Sequence, residues 1–501
     1  MATAVVLDTA AAVSDAPVRP AARPPLPWRR AAPLLPAIAV VVLLAVPVAP
    51  AGDGTAGSGS PADVASALLV LHCLVRVLRD RARPLTRTAA FVLGLPVLGV
   101  TVASLTAQDP AVSLPGLARY LQIFVLVPAA LLLLLRDRWD FRLLAGSVVA
   151  VALVQGAVGV GQYLTGTGAS YKGEDVRAVG TFGPTDVMGM ATVVAYGLVI
   201  AVGFAVGGKG GKGGKGGKGG TGAGRPGAWT GARLAALGCA GLLAVPLLLS
   251  FSRGAWIATA VAVVCQLVLS GPRRAAAALL AAGALGVVLV GGLGIGSQLV
   301  TERVDSIARV ADAPDQSVTD RYTMWAAAAD MWRTRPLTGV GLKGFPEHRD
   351  SHASLALSSG SDTAGAGLGF QRQPLLSPHN MYLLVLSEQG LLGVLALVGS
   401  WAALLLLGLR ALWRSRTGRR AGGGGCGLVV IGLLVWQLVD FGYADIGGPS
   451  TVLTAVMLGL AAWWALGAGP DGDAFDGAVP EGAVPGGATP GGVVSDGVAR
   501  A

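Results

Sequence analysis

Four side chains of this 501-residue sequence stand out for chemistry: His379, Arg177, Arg253 and Arg321. Imidazole titrates near neutrality, so a neutral histidine can take a proton from a hydroxyl group. A guanidinium stays charged and offers a planar fork that grips two phosphate oxygens. His379 lies in SPHNMYLLVLSEQGLLG (377–393). Ser377 and Pro378 are good N-cap and N1 residues, which puts His379 at N2 and Asn380 at N3 of a helix. Free N–H groups and a partial positive charge there attract anions and keep the imidazole neutral. Glu388 sits nine residues on, about half a revolution from His379, so it is expected to pair with a cation elsewhere or to orient the site.

Arg253 lies in SFSRGAW, with Ser252 before it and Gly254 after it. A snorkelling anchor is the plainer reading of such an arginine, a cation at the mouth of a helical hairpin the functional one. Arg177 lies in YKGEDVRAVGTFGPTD, where Lys172 adds a second cation. Arg321 opens RYTMWAAAADMWR after the loose capping box Ser317 to Asp320. The spacing puts Arg321, Trp325, Ala328 and Trp332 on one helical face, suited to a helix lying at a membrane interface. Pro336 ends that helix, and the glycine-rich LTGVGLKGF follows.

These residues need a frame, and the composition says which kind. The chain is 53% hydrophobic and 13% charged, about half the charge a soluble surface needs. It reads as an all-α polytopic membrane protein. About twelve runs approach the roughly 20 apolar residues that span a bilayer: 34–50, 62–79, 88–106, 117–135, 141–164, 185–206, 232–250, 254–271, 274–299, 380–409, 425–441 and 449–468. With the N-terminus inside, the intervening arginines and lysines fall on inner segments. The short segments 51–61, 107–116 and 442–448 hold no Lys or Arg and fall outside. Residues 165–184, the 250–253 turn and the long 300–379 segment are then extracytoplasmic, so the three arginines are exceptions to the charge pattern. Run 34–50 also resembles a cleavable signal core; an uncleaved span is expected, with both termini cytoplasmic.

The Gly-Gly-Lys repeat in 207–222 lacks the Ser/Thr of a phosphate loop and reads as a flexible basic linker. The expected organisation is a disordered 1–33, a transmembrane bundle 34–206, a linker 207–231, a core 232–409 with its outer loop 300–379, C-terminal spans 410–468 and a disordered tail 469–501. Cys73, Cys239, Cys265 and Cys426 lie in apolar runs and show no paired spacing. The four histidines have no metal-ligand pattern. No metal, cofactor or nucleic-acid partner is expected.

SRGAW (252–256), RYTMWAAAADMWRTRPLTGVGLKGF (321–345), SPHNMYLLVLSEQGLLG and RAVGTFGPTDVMGMA (177–191) together resemble the O-antigen ligase/polymerase superfamily of membrane glycosyltransferases. The likeness lies in their order and spacing. It implies a GT-C-type helical fold in the cytoplasmic membrane and transfer on its outer face. The implied donor is a glycan on undecaprenyl diphosphate, and the acceptor a glycan or cell-envelope hydroxyl, among membrane lipids and without a metal. Arg253, Arg177 and Arg321 would hold the diphosphate. His379 would deprotonate the acceptor or otherwise assist attack, with inversion. Asn380, Glu388, Ser252, Trp325 and Tyr382 would support them. Gly183-Pro184-Thr185-Asp186 departs from the family's Pro-Asn pair, and the glycine-rich 358–369 stretch looks like an insertion. Polymerase and ligase both fit. The alternative from another class is a flippase of lipid-linked glycans; no internal repeat supports it.

Overall fold

Our computed structural model describes residues 30–47, 60–80, 85–170, 177–186, 188–207, 226–271, 276, 316–355, 357, 361–365, 368–373, 375–417, 424–448 and 450–467. In chain order the helices are α1 (Ala32–Ala45), α2 (Pro61–Asp80), α3 (Arg87–Leu105), α4 (Pro110–Leu134), α5 (Arg138–Thr165), α6 (Gly189–Val206), α7 (Pro226–Leu249), α8 (Arg253–Ser270), α9 (Gln316–Thr334), α10 (Phe345–His352), α11 (Met381–Arg416), α12 (Gly424–Asp440) and α13 (Thr451–Leu466). Side chains that accept from the first free N–H groups set several of their starts. Thr86 accepts from Ala89 N ahead of α3, and Asp109 from Ala111 N ahead of α4. Asp137 does the same for α5 and Ser252 for α8. Gly166, at φ 68°, ends α5 in the left-handed conformation.

Eight of these helices (α2 to α8 and α11) are long and apolar enough to cross a membrane; α1, α12 and α13 are shorter apolar helices. Burial sorts them into inner and outer positions. In α6 72% of the span is buried, against 17% of residues 231–249 in α7. The short α12 and α13 are buried along most of their length and bring Trp436 and Trp464 into the core. The bundle therefore packs around α6, α12 and α13, while α2 and α7 present large apolar side chains outward, as lipid contact requires.

The two ends of the bundle differ. One carries Arg30 paired with Asp137, Arg136 paired with Asp140, and Gly207 against Gly425. The other carries the 250–252 turn, α9, α10, the segment 375–380 and residues 441–450. A small antiparallel sheet also forms, β1 (Ala169–Ser170), β2 (Ser361–Gly365) and β3 (Leu368–Gln373).

At this second end a loop is threaded through a broken helix. Within α11, Gly390 takes φ 63° and ψ −162°, a conformation essentially reserved for glycine. The break leaves backbone groups of 387–392 without partners inside the helix, and the segment 336–342 supplies them. Leu391 N donates to Pro336 O (2.9 Å) and Leu392 N to Leu337 O (3.2 Å), while Val340 N donates to Ser387 O (2.8 Å) and Gly341 N to Glu388 O (3.1 Å). Leu342 N then reaches Ala103 O on α3 at 3.1 Å. Irregular backbone is tolerated at this depth because each opened hydrogen bond finds another partner.

The expected runs, 274–299 excepted, each correspond to one of these helices; 274–299 lies almost wholly outside the described residues, as do the N-terminal tail through 29, the Gly-Gly-Lys repeat and the C-terminal tail. The helical expectation needs one addition, the three-stranded sheet, and the stretch 358–369 that looked like an insertion supplies β2 and the start of β3. α7 begins at Pro226, inside the expected linker, and α11 runs on to Arg416 rather than ending at 409. α9 begins at Gln316, so Ser317 lies within it and not at its cap.

Candidate functional site

The start of α11 differs from the expected one. Asn380, not Ser377, is its N-cap: the Asn380 backbone is extended, and its side-chain oxygen accepts from Leu383 N at 3.1 Å. His379 stands just outside the helix with φ 49°. A left-handed conformation costs an ordinary residue about 1–2 kcal/mol, so neighbouring contacts must hold it. Trp325 of α9 donates Nε1–H to Pro378 O (2.8 Å). On the other side Asn380 Nδ2 donates to Gly442 O (3.1 Å), and Met381 N is shared between Phe441 O (2.9 Å) and Ala444 O (3.0 Å). His379 is thereby clamped from α9 and from the turn after α12.

Two charges act on that imidazole. Burial pushes its pKa below the ordinary value; Asp445 opposes the push and Arg321 reinforces it. The neutral form expected from the helix dipole therefore has a different main cause, since His379 is not within the first helical turn. Arg321 comes from α9 as the spacing indicated, and Ala328 of the same face is buried. The apolar anchor of α9 is an adjacent stripe, Met324, Ala327, Ala328 and Met331, packed with Val340 and Phe345.

The segments that carry Arg177 and Arg253 meet at one corner. Residues 169 and 177 exchange both backbone hydrogen bonds, and Ala178 N donates to Leu249 O at 3.1 Å. That carbonyl is the last of α7, just before the turn that delivers Arg253 as the first residue of α8. Ser252 caps α8, its hydroxyl accepting from Ala255 N (3.2 Å), and Trp256 Nε1 fastens the turn to Leu247 O (2.8 Å). Two glutamines of α5 hold the Gly-Thr-Phe strip. Gln162 accepts from Val179 N and Gly180 N and donates to Gly180 O, while Gln155 accepts from Thr181 N and donates to its hydroxyl. Their spacing of seven puts both on one helix face.

The remaining expected residues divide. Glu388 is buried two turns into α11, where its carboxylate accepts from Phe345 N at 3.3 Å and Lys343 supplies the nearby positive charge. It fastens the threaded loop; the half-turn offset from His379 does not apply, since His379 lies outside the helix. Tyr382 donates to Leu438 O at 2.6 Å and braces α11 against α12.

Residues 441–450, FGYADIGGPS, are the part that sequence reasoning missed; it used them only for orientation. This segment touches nearly every other piece. Gly442 holds Asn380; Tyr443 packs against Gly254 beside Arg253; Asp445 acts on His379. Asp186 accepts from Ser450 N at 3.1 Å, and burial pushes the Asp186 carboxyl up. Arg119, paired with Asp63, donates to Gly448 O at 3.3 Å. The available signal was Asp440 and Asp445, two carboxylates at the end of an apolar run where no cation lies near in sequence. Among the described residues no cluster of three or more His, Cys, Asp or Glu is arranged to hold a metal.

Residues 238–398 match the family model described as O-antigen ligase. That stretch contains Arg253, Arg321, His379 and Glu388 and leaves out Arg177 and Asp445. No curated protein matches the chain.

Proposed function

With residues 238–398 matching the family model described as O-antigen ligase, we propose that the chain transfers a glycan from an undecaprenyl-diphosphate donor to a hydroxyl of a glycan or cell-envelope acceptor. The reaction runs on the outer face of the cytoplasmic membrane, in a GT-C-type bundle of about twelve spans with both termini inside. The observation that carries this reading is the setting of His379. A histidine is held at positive φ between α9 and the turn after α12, biased to its neutral form, with a carboxylate and a guanidinium acting on it.

His379 takes the proton of the acceptor hydroxyl as its oxygen attacks the anomeric carbon. The new glycosidic C–O bond forms while the bond to the diphosphate oxygen breaks on the opposite side, so configuration inverts. Asp445 stabilises the imidazolium that results. Undecaprenyl diphosphate leaves as an anion, and Arg253, Arg177 and Arg321 neutralise its developing charge, the part a divalent cation plays elsewhere. Ser252 fixes the start of α8 and so the origin of the Arg253 side chain; Trp325 and Asn380 fix His379. Whether the acceptor is another repeat unit, as in a polymerase, or a different molecule, as in a ligase, is decided by what docks beside His379.

Arg253→Ala and His379→Ala are expected to abolish glycan formation in cells while the protein inserts in the membrane at wild-type levels. Full glycan production by either variant overturns that residue's assignment.

A further inference from the structure

We propose that Tyr443 is the platform for the sugar being transferred, its ring lying against the C–H face of a pyranose. This deepens the glycosyl-transfer reading and rests on it. In such a reaction the transferred sugar must reach two places at once: the acceptor oxygen beside the base and the departing diphosphate beside the arginines. One short segment, residues 441–446, connects those places. Gly442 O accepts from Asn380, the neighbour of His379, at 3.1 Å, and Asp445 acts on His379 itself. Between them in sequence, Tyr443 packs on the first turn of α8. A Cβ at Gly254 would lie 3.3 Å from Tyr443 Cβ and 3.6 Å from its Cγ, next to Arg253.

The tyrosine is rigidly based yet exposed. Its backbone N–H donates to Asp440 O at 2.7 Å, and the flanking carbonyls of Phe441 and Ala444 both accept from Met381 N. The residue is 38% exposed. An aromatic face presented from a fixed turn offers contact area at low entropic cost, since only two torsions need to be ordered. The apolar face of a pyranose, with its axial C–H groups, is the part of a sugar that such a ring can bind. Gly254 leaves the ring room beside the arginine.

The test compares binding of two carriers, undecaprenyl diphosphate bearing a defined glycan and undecaprenyl diphosphate alone, to the full-length protein in nanodiscs. Tyr443→Leu keeps an apolar side chain but no ring face; Tyr443→Phe keeps the face. The leucine variant is expected to lose about tenfold in affinity for the glycan-bearing carrier, an aromatic contact's worth, and nothing for the bare one. The phenylalanine variant should match wild type with both. A leucine variant that loses affinity equally for the two carriers, as a plain interfacial anchor would, or for neither, overturns the platform. Wild-type protein that turns over the glycan carrier keeps the glycosyl-transfer reading intact in that event. Wild-type protein that binds the two carriers alike and turns over neither overturns both.

Discussion

His379 joins three properties that bear on one another: a left-handed backbone, a partly enclosed imidazole and two opposed charges. The pH dependence follows from them. A base works in its neutral form, and burial lowers the His379 pKa, so the acid limb of the pH–rate profile should lie below that of an ordinary imidazole. Arg321 lowers that pKa and Asp445 raises it. Arg321→Ala should therefore move the acid limb to higher pH, and Asp445→Asn should move it to lower pH. Shifts of the same sign in both variants would contradict this electrostatic assignment. His379→Ala should cost about 10²- to 10⁴-fold in rate, the range of general-base catalysis. Arg253→Lys should also be poor if the guanidinium binds the diphosphate through its fork, because an ammonium keeps the charge and loses the second donor. At this scale the sequence was informative about residue type and weak about conformation. Ser377-Pro378 is a sound helix start by local chemistry, yet the clamp from Trp325 and Gly442 holds His379 out of the helix and moves the cap to Asn380. Those partners lie 53 and 62 residues away from the residues they hold, beyond the reach of any capping rule.

Among the elements, the threaded loop is the device that joins α9, α3 and α11. Gly339 and Gly390 face each other across it. A Cβ at Gly339 would sit 2.6 Å from Gln389 N, and one at Gly390 would sit 2.6 Å from Thr338 N. Both residues have positive φ. Gly390→Ala should cost about 1–3 kcal/mol from backbone strain alone and release 336–342. Faster amide exchange at Val340 and Gly341 would report it; unchanged protection there would contradict the threading. Glu388→Ala leaves the Phe345 N–H without its acceptor, at about 1–3 kcal/mol. Glu388→Gln keeps an acceptor oxygen and should be much milder, as thermal unfolding would show. The glycines of LTGVGLKGF and SEQGLLG were visible in the sequence as marks of tight geometry. That they interlock was not, because the backbone hydrogen bonds exchanged between them carry no side-chain signature.

For the whole molecule, hydropathy located the helices well, since a bilayer demands long apolar runs whatever the fold. The order in which they pack was hidden. α12 and α13 read as ordinary spans, yet they are short, almost fully enclosed and flank the segment that carries Tyr443 and Asp445. Sidedness is open to a direct check. Cysteines introduced at Ser351 and at Thr417, both exposed and at opposite ends of the bundle, should differ toward an impermeant maleimide on intact cells. Ser351→Cys should label and Thr417→Cys should not; the reverse pattern would invert the topology. The central claim, that the chain makes a glycosidic bond by releasing undecaprenyl diphosphate, is tested most directly by reconstitution. Purified protein is given a defined undecaprenyl-diphosphate glycan and its acceptor, and the products are resolved. The account predicts free undecaprenyl diphosphate together with a ladder of longer glycans or one transferred block, and neither with His379→Ala. A donor recovered unchanged with folded wild-type protein, or moved across the membrane without a covalent change, would contradict it.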